Sequence, residues 1–237
     1  MANSLSDPSQ LESQRVDQRV PIDSFGDINI LINPALEAYQ YAKIDSLYRQ
    51  IRFSYKQAPQ LVVFSAENDW ARKSFFPIAR GLTRPFRPPF RKYQDGLYGQ
   101  ALGEFAAQQT HEMKLTPGVP DSLSNKDYSD GPKISQFDFT NNLSFSNVSL
   151  SRLPKFNIDN SPVAVVYVKD KIIDGHNEIF KKEFVDFLTK YIDFVEGKNL
   201  ALRKERWEER RQRLKIQQNS FSTVRDDALS NGGTPSD

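Results

Sequence analysis

Three short apolar runs punctuate the chain, each bounded by residues that end a strand. The first, Ile28-Asn29-Ile30-Leu31-Ile32, closes on Asn33-Pro34. Proline has no N–H to give to a ladder, so this pair predicts a buried strand turning out into a loop. The second runs from Pro59 to Ser65 (PQLVVFS) and is followed by Ala66-Glu67-Asn68-Asp69; its unbroken apolarity predicts a strand covered on both faces. The third, Pro162 to Val168 (PVAVVYV), repeats that profile and leads through Lys169-Asp170-Lys171 to Ile172-Ile173-Asp174-Gly175-His176-Asn177. Between the first two runs, Leu36, Tyr39, Ile44, Leu47, Tyr48 and Ile51 fall near helical spacing, which predicts a crossover helix over 35–51. Strand, helix and strand joined by short connections point to a parallel sheet and an α/β fold. After the third run, Phe180, Phe184, Phe187, Leu188, Tyr191 and Ile192 recur at intervals of three and four, the mark of an amphipathic helix.

Elsewhere the periodicity fades. Residues 1–24 are polar and read as a lead-in that anchors no core. A helix entered through Pro77 is expected over 75–82, followed by an extended Pro- and Arg-rich segment at 84–91. Residues 92–160 scatter glycine, serine, asparagine and proline among short apolar pieces such as Phe137-Asp138-Phe139 and Leu143-Ser144-Phe145. They predict an irregular excursion or edge hairpin, with a flexible loop around 117–133. Residues 198–218 are dense in both charge signs and predict a solvated helix laced with i to i+4 ion pairs, and 219–237 predict a disordered tail. The organisation expected is one partial α/β domain over 25–197, then the charged helix and the tail.

Composition removes several classes of chemistry. The chain of 237 residues has no cysteine and two histidines, His111 and His176, which excludes disulfides, thiolate catalysis and cysteine-ligated metals, and leaves no basis for a histidine-rich metal site. No cofactor is implied. Thirty-two lysines and arginines nearly balance thirty aspartates and glutamates, so no global field selects nucleic acid as partner. No apolar stretch reaches the roughly 20 residues of a membrane span. With no apolar secretory leader at its start, the expected compartment is the cytoplasm.

In an open parallel sheet, reacting groups gather beyond the carboxyl ends of the strands. Asp69 lies just past the second run and His176 eight residues past the third, so both belong to one rim. A histidine that shuttles a proton needs a carboxylate to hold its tautomer and stabilise the imidazolium. Glu67 is an alternative acid that spacing does not separate from Asp69. By residue type alone, a lone loop histidine is more often capping or packing. Ser65 ends a strand without a glycine-flanked turn, so its hydroxyl is read as a local cap rather than a nucleophile. His111 alternates loosely, as in an edge strand, and is read as structural or rim-lining.

Three segments, Ile30 to Ala38 (ILINPALEA), Val63 to Ala71 (VFSAENDWA) with Phe76-Pro77, and Asp174 to Ile179 (DGHNEI), resemble those that follow the nucleophile elbow in a poorly characterised group of α/β-hydrolase-fold proteins. The resemblance spans roughly residues 25–195. It implies the second half of that fold's mostly parallel sheet with flanking helices, and a lineage of esterase or lipase type. On that resemblance Asp69 matches the catalytic acid, His176 the base, and the substrate is a small-molecule acyl ester. The Thr110-His111 pair is similar to one in the same group.

The fold's nucleophile stands in a G-x-S-x-G turn, and none of the eleven glycines is followed two residues later by serine. The expectation is a C-terminal portion that is inactive alone, with its nucleophile lost upstream or supplied by a partner chain. The alternative is a non-catalytic α/β-hydrolase-like interaction module working through a sheet edge or the charged helix. The basic segments at 84–91 and 198–215 are weighed as phosphate or base contacts, but glutamates at 205, 208 and 209 dilute the second, so surface connection and solvated helix are preferred.

Overall fold

The computed structural model of the chain describes residues 16–18, 26–54, 57–75, 78, 97–122, 142–176 and 178–230, with side chains to 217 at the C-terminal end. The expected helix over 75–82, apart from Phe75 and Ile78, and the segment at 84–91 lie outside these residues, as does most of the loop around 117–133.

The strands are β1 (Val16–Gln18), β2 (Asn29–Ile32), β3 (Ile51–Phe53), β4 (Leu61–Ala66), β5 (His111–Leu115), β6 (Leu143–Phe145), β7 (Val148–Arg152) and β8 (Val163–Val168). The helices are α1 (Ala38–Tyr48) and α2 (Lys182–Ser230). Six strands form one mixed sheet in the order β2-β4-β8-β5-β7-β6, and β1 pairs with β3 in a second, two-stranded sheet. β2, β4, β8 and β5 are mutually parallel, while β7 and β6 continue the sheet antiparallel. The architecture is α/β.

The continuous apolarity of β4 and β8 follows from cover on both faces. On one face Val62, Phe64, Ala66, Ala164, Val166 and Val168 pack with Phe184, Phe187, Tyr191 and Phe194 of α2. On the other, Val63, Val163 and Val165 pack with Tyr41 of α1 and with Leu102. At about 25 cal/mol per Å², each buried aliphatic or aromatic side chain contributes roughly 1.5–3 kcal/mol, so these two layers fix the sheet and hence the rim where β4 and β8 end together.

Four features differ from the periodicity. Val16–Gln18 pairs in parallel with Ile51–Phe53, so the polar lead-in does contribute a strand; ladder hydrogen bonds are made by backbone and need no apolar side chain. Ile51 leaves the crossover helix for β3 because the chain turns at Arg49, whose Nε pairs with Asp45 at 3.0 Å. β5 is interior, flanked by β8 and β7, where its loose alternation suggests an edge. Finally, α2 is a single 49-residue helix: it joins the apolar and charged segments and continues through 219–230, where a disordered tail is predicted. No proline and only one glycine, Gly197, occur between Lys182 and Ser230, so nothing in the backbone chemistry breaks it. Residues 231–237 lie outside the described residues.

Candidate functional site

β4 and β8 run side by side in register, Ala66 beside Val168, so the loops leaving them start at one level. The chain after β4 turns at once, Asp69 falls three residues beyond the strand, and its carboxylate accepts the Arg72 amide at 3.1 Å. This is the aspartate capping geometry of a helical start, here opening a short wide turn over Ala71–Phe75. The chain after β8 makes a longer excursion and returns to place His176 Nδ1 2.9 Å from Asp69 Oδ2. The two residues singled out from the sequence are thus brought together. Glu67, the alternative acid, is exposed.

The two partners differ sharply in environment. Asp69 is fully buried, whereas the His176 side chain is 46% exposed. Burial alone would raise the Asp69 carboxyl; the hydrogen bond from His176, the Arg72 amide and the Arg72 charge outweigh it and hold the group below the usual aspartate range. Asp69 is therefore an anion at neutral pH, able to accept an Nδ1 proton and leave Nε2 as the basic nitrogen facing solvent. Among the described residues, no hydroxyl is hydrogen-bonded to Nε2.

Arg72 organises the buried side. Its Nε pairs with Asp69 Oδ2 at 2.9 Å and its Nη2 with Glu104 at 2.8 Å. Nη2 also donates to the Ala66 carbonyl at 2.8 Å, and Nη1 donates to Ser65 Oγ and, at 3.5 Å, to the Leu102 carbonyl. All five guanidinium donors are engaged, which is how a cation survives burial. Burial pushes Glu104 up, and the Arg72 charge offsets only part of that. Ser65 is buried and held by Arg72, with Gly103 against it: a Cβ on Gly103 would lie 2.4 Å from that of Ser65. Its hydroxyl is enclosed, in keeping with a local structural role.

Two asparagines strap the histidine loop. Asn33, at the end of β2 and in the left-handed region (φ 46), accepts the Ala66 N–H at 2.8 Å and donates to the Gly175 carbonyl at 3.1 Å. Asn68 accepts the Gly175 N–H at 3.2 Å and donates to Asp174. Lys181 pairs with Asp174 at 3.0 Å from the far side and holds that carboxyl below its usual range. The two residues leading into His176 are thereby held from β2, β4 and the approach to α2. None of Arg72, Glu104, Asn33, Asn68 or Lys181 was assigned a role by the sequence pattern. The one signal in the sequence for Arg72 is its i+3 spacing from Asp69, and for the asparagines their place in the two post-strand motifs.

His111 lies elsewhere. It is buried in β5 beside Val166, its Nδ1 2.7 Å from Thr110 Oγ1 and its ring 6.0 Å from that of Phe156, a packed and satisfied position. No group of histidine, aspartate and glutamate able to hold a metal ion occurs among the described residues, and no described helix is long and apolar enough to cross a membrane. Comparison with protein-family models, curated proteins and solved structures gives no match to this chain.

Proposed function

We propose that the chain is the C-terminal portion of a serine hydrolase of esterase or lipase type on an α/β-hydrolase-like sheet, with Asp69 and His176 as its acid and base. The observation that carries the reading is the 2.9 Å contact between a fully buried carboxylate and a half-exposed imidazole at the carboxyl ends of adjacent parallel strands. In the reaction, a serine hydroxyl from outside these 237 residues adds to an acyl carbonyl. His176 Nε2 takes its proton, and Asp69 stabilises the imidazolium. The same proton passes to the leaving alcohol as the carbonyl reforms and the ester bond breaks. Water then releases the acyl group by the reverse sequence, returning the proton to serine. The substrate class is a small-molecule acyl ester.

Two measurements test this. In ¹⁵N-edited spectra, His176 should show a protonated Nδ1 and an unprotonated Nε2 above neutral pH, with the Nδ1 proton shifted far downfield and lost in Asp69→Asn; an Nε2–H tautomer would end the proposal. The purified chain should not hydrolyse a short p-nitrophenyl ester, and activity abolished by His176→Ala would show that the nucleophile is internal.

A second reading, a non-catalytic interaction module, is favoured by one feature. β2 bonds to β4 through Asn29 and Asn33, so Ile30 and Ile32 turn their backbone groups to the outer edge, where no described strand pairs with them. Such an edge accepts a strand from another chain. Cooperative melting of the isolated chain favours this module; a broad, non-cooperative transition favours a hydrolase portion lacking its neighbouring strands.

A further inference from the structure

The first part of α2 is a core helix and the rest is not. Phe184, Phe187, Tyr191, Phe194, Val195, Lys198 and Leu202 are buried on one stripe. From Arg203 to Gln217 every side chain except the half-buried Glu205 is exposed. On the side opposite the buried stripe, Leu200, Trp207 and Leu214 stand seven residues apart, 52%, 60% and 53% exposed. Seven residues are nearly two helical turns, so the three form a row along the axis.

The charges on this arm are sorted about that row. At about 100° per residue, Arg203, Lys204, Arg210 and Arg211 fall within roughly 60° of Trp207. Glu205, Glu208 and Glu209 lie on the other half of the helix. Arg206, Arg213 and the exposed Ile216 share that half with them, so from Leu200 to Gln217 the Trp207 face carries cations alone while the back carries both signs, with glutamate in slight excess. Arg211 sits over the Trp207 ring at 5.3 Å, and Arg203 pairs with Asp27 where α2 leaves the sheet.

We propose that this face of α2 docks on an anionic lipid surface, with Leu200, Trp207 and Leu214 in the headgroup layer and the flanking cations on its phosphates. Two features select lipid over other anionic partners. A protein groove is read by apolar anchors at i, i+3 or i+4, and i+7, but the i+3 and i+4 positions after Leu200 and Trp207 are Arg203, Lys204, Arg210 and Arg211, so there is no second apolar row to fill a groove. A nucleic-acid surface gives Leu200 and Leu214 nothing apolar to cover them. An interfacial layer accommodates both, as it takes leucine and tryptophan beside snorkelling arginines. Self-pairing through the face would bring like charges together.

The test is flotation of the full chain with phosphatidylcholine vesicles, with and without phosphatidylserine, and Trp207 emission in a Trp70→Phe background. Binding should require phosphatidylserine, weaken with salt and shift Trp207 emission to the blue. Each cation near such a surface contributes roughly five-fold, so Arg210→Gln with Arg211→Gln should lower partitioning about thirty-fold, while Glu208→Gln with Glu209→Gln on the back should not weaken it. No flotation with anionic vesicles, equal flotation with neutral ones, or salt-sensitive binding to an RNA oligonucleotide without vesicle binding would each overturn the proposal. So would a dimer broken by Trp207→Ala. The five residues substituted on α2 are all exposed, and unchanged circular dichroism of each variant, and of the Trp70→Phe background, verifies that the fold is intact.

Discussion

Replacing Asp69 by asparagine keeps the shape of the side chain and removes its charge, which separates what the carboxylate does for the fold from what it does for the histidine. Asp69 is fully buried against an Arg72 guanidinium that is 1% exposed. Removing one member of a buried ion pair typically costs about 3–5 kcal/mol, because the other is left uncompensated. Arg72 keeps a second carboxylate, Glu104, whose side chain is 14% exposed, so the expected loss is near the lower bound, about 3 kcal/mol. With a urea slope of about 2–3 kcal/mol per molar, the unfolding midpoint should fall by roughly 1–1.5 M. His176→Ala removes a half-exposed partner whose pairing is screened by solvent, and should cost no more than about 1 kcal/mol. Equilibrium urea unfolding of the two single variants and the double variant gives both numbers and their coupling. If His176→Ala destabilises as much as Asp69→Asn, the histidine is a structural partner of the carboxylate and the acid–base assignment fails.

Four further outcomes follow from the structure. Asp69 is held below its usual range, so its stabilisation is complete above the unfolded value near about 4 and drains away as pH falls through the folded value; Asp69→Asn should flatten the acid limb of the stability curve. Glu104 is raised and has the opposite sign, its penalty relaxing as pH falls through its folded value, so Glu104→Gln should steepen that limb, read by urea midpoints across pH. Gly103→Ala combines a φ of +91 with a Cβ driven against Ser65, and should cost at least about 2 kcal/mol by thermal or urea unfolding. Tyr191→Phe should leave stability unchanged or raise it by about 1 kcal/mol, since the buried Tyr191 hydroxyl has no hydrogen-bond partner among the described residues; a loss above that size would reveal a partner.

The parts of this molecule that were legible in the sequence are those set by a period. The apolar runs at 59–65 and 162–168 correspond to β4 and β8, because a doubly covered parallel strand has no polar alternation to blur it, whereas the run at 28–32 forms β2, an edge strand that is only half-buried where a buried one is predicted. Asp69 and His176 were legible as a pair only because the parallel order of their strands puts both loops on one rim. What was not legible depends on geometry that no local pattern encodes. Whether β5 lies at an edge or inside is decided by β7 and β8 from elsewhere in the chain, and the length of α2 by the absence of breakers rather than by amphipathicity. Arg72 could not be told from a surface arginine, since its burial follows from four acceptors contributed by Ser65, Ala66, Leu102 and Glu104.

The arrangement of those acceptors bears on how the proposed acid–base pair would be kept ready. Asp69 Oδ2 is shared between Arg72 and His176, each at 2.9 Å, while Oδ1 takes the Arg72 amide. The carboxylate is therefore oriented before the histidine arrives, and the imidazole has only to meet a fixed acceptor. Its own loop is fixed separately, by Asn33 and Asn68 gripping Gly175 and Asp174. The two partners are thus braced separately: the sheet sets the backbone leading into His176, and the bond to Asp69 sets the ring. A site built this way keeps its geometry when the imidazole changes charge, which is the property a proton shuttle requires. It also ties His176 to β2 through Asn33, so a strand added at the open edge of β2 would meet the histidine loop through a single side chain.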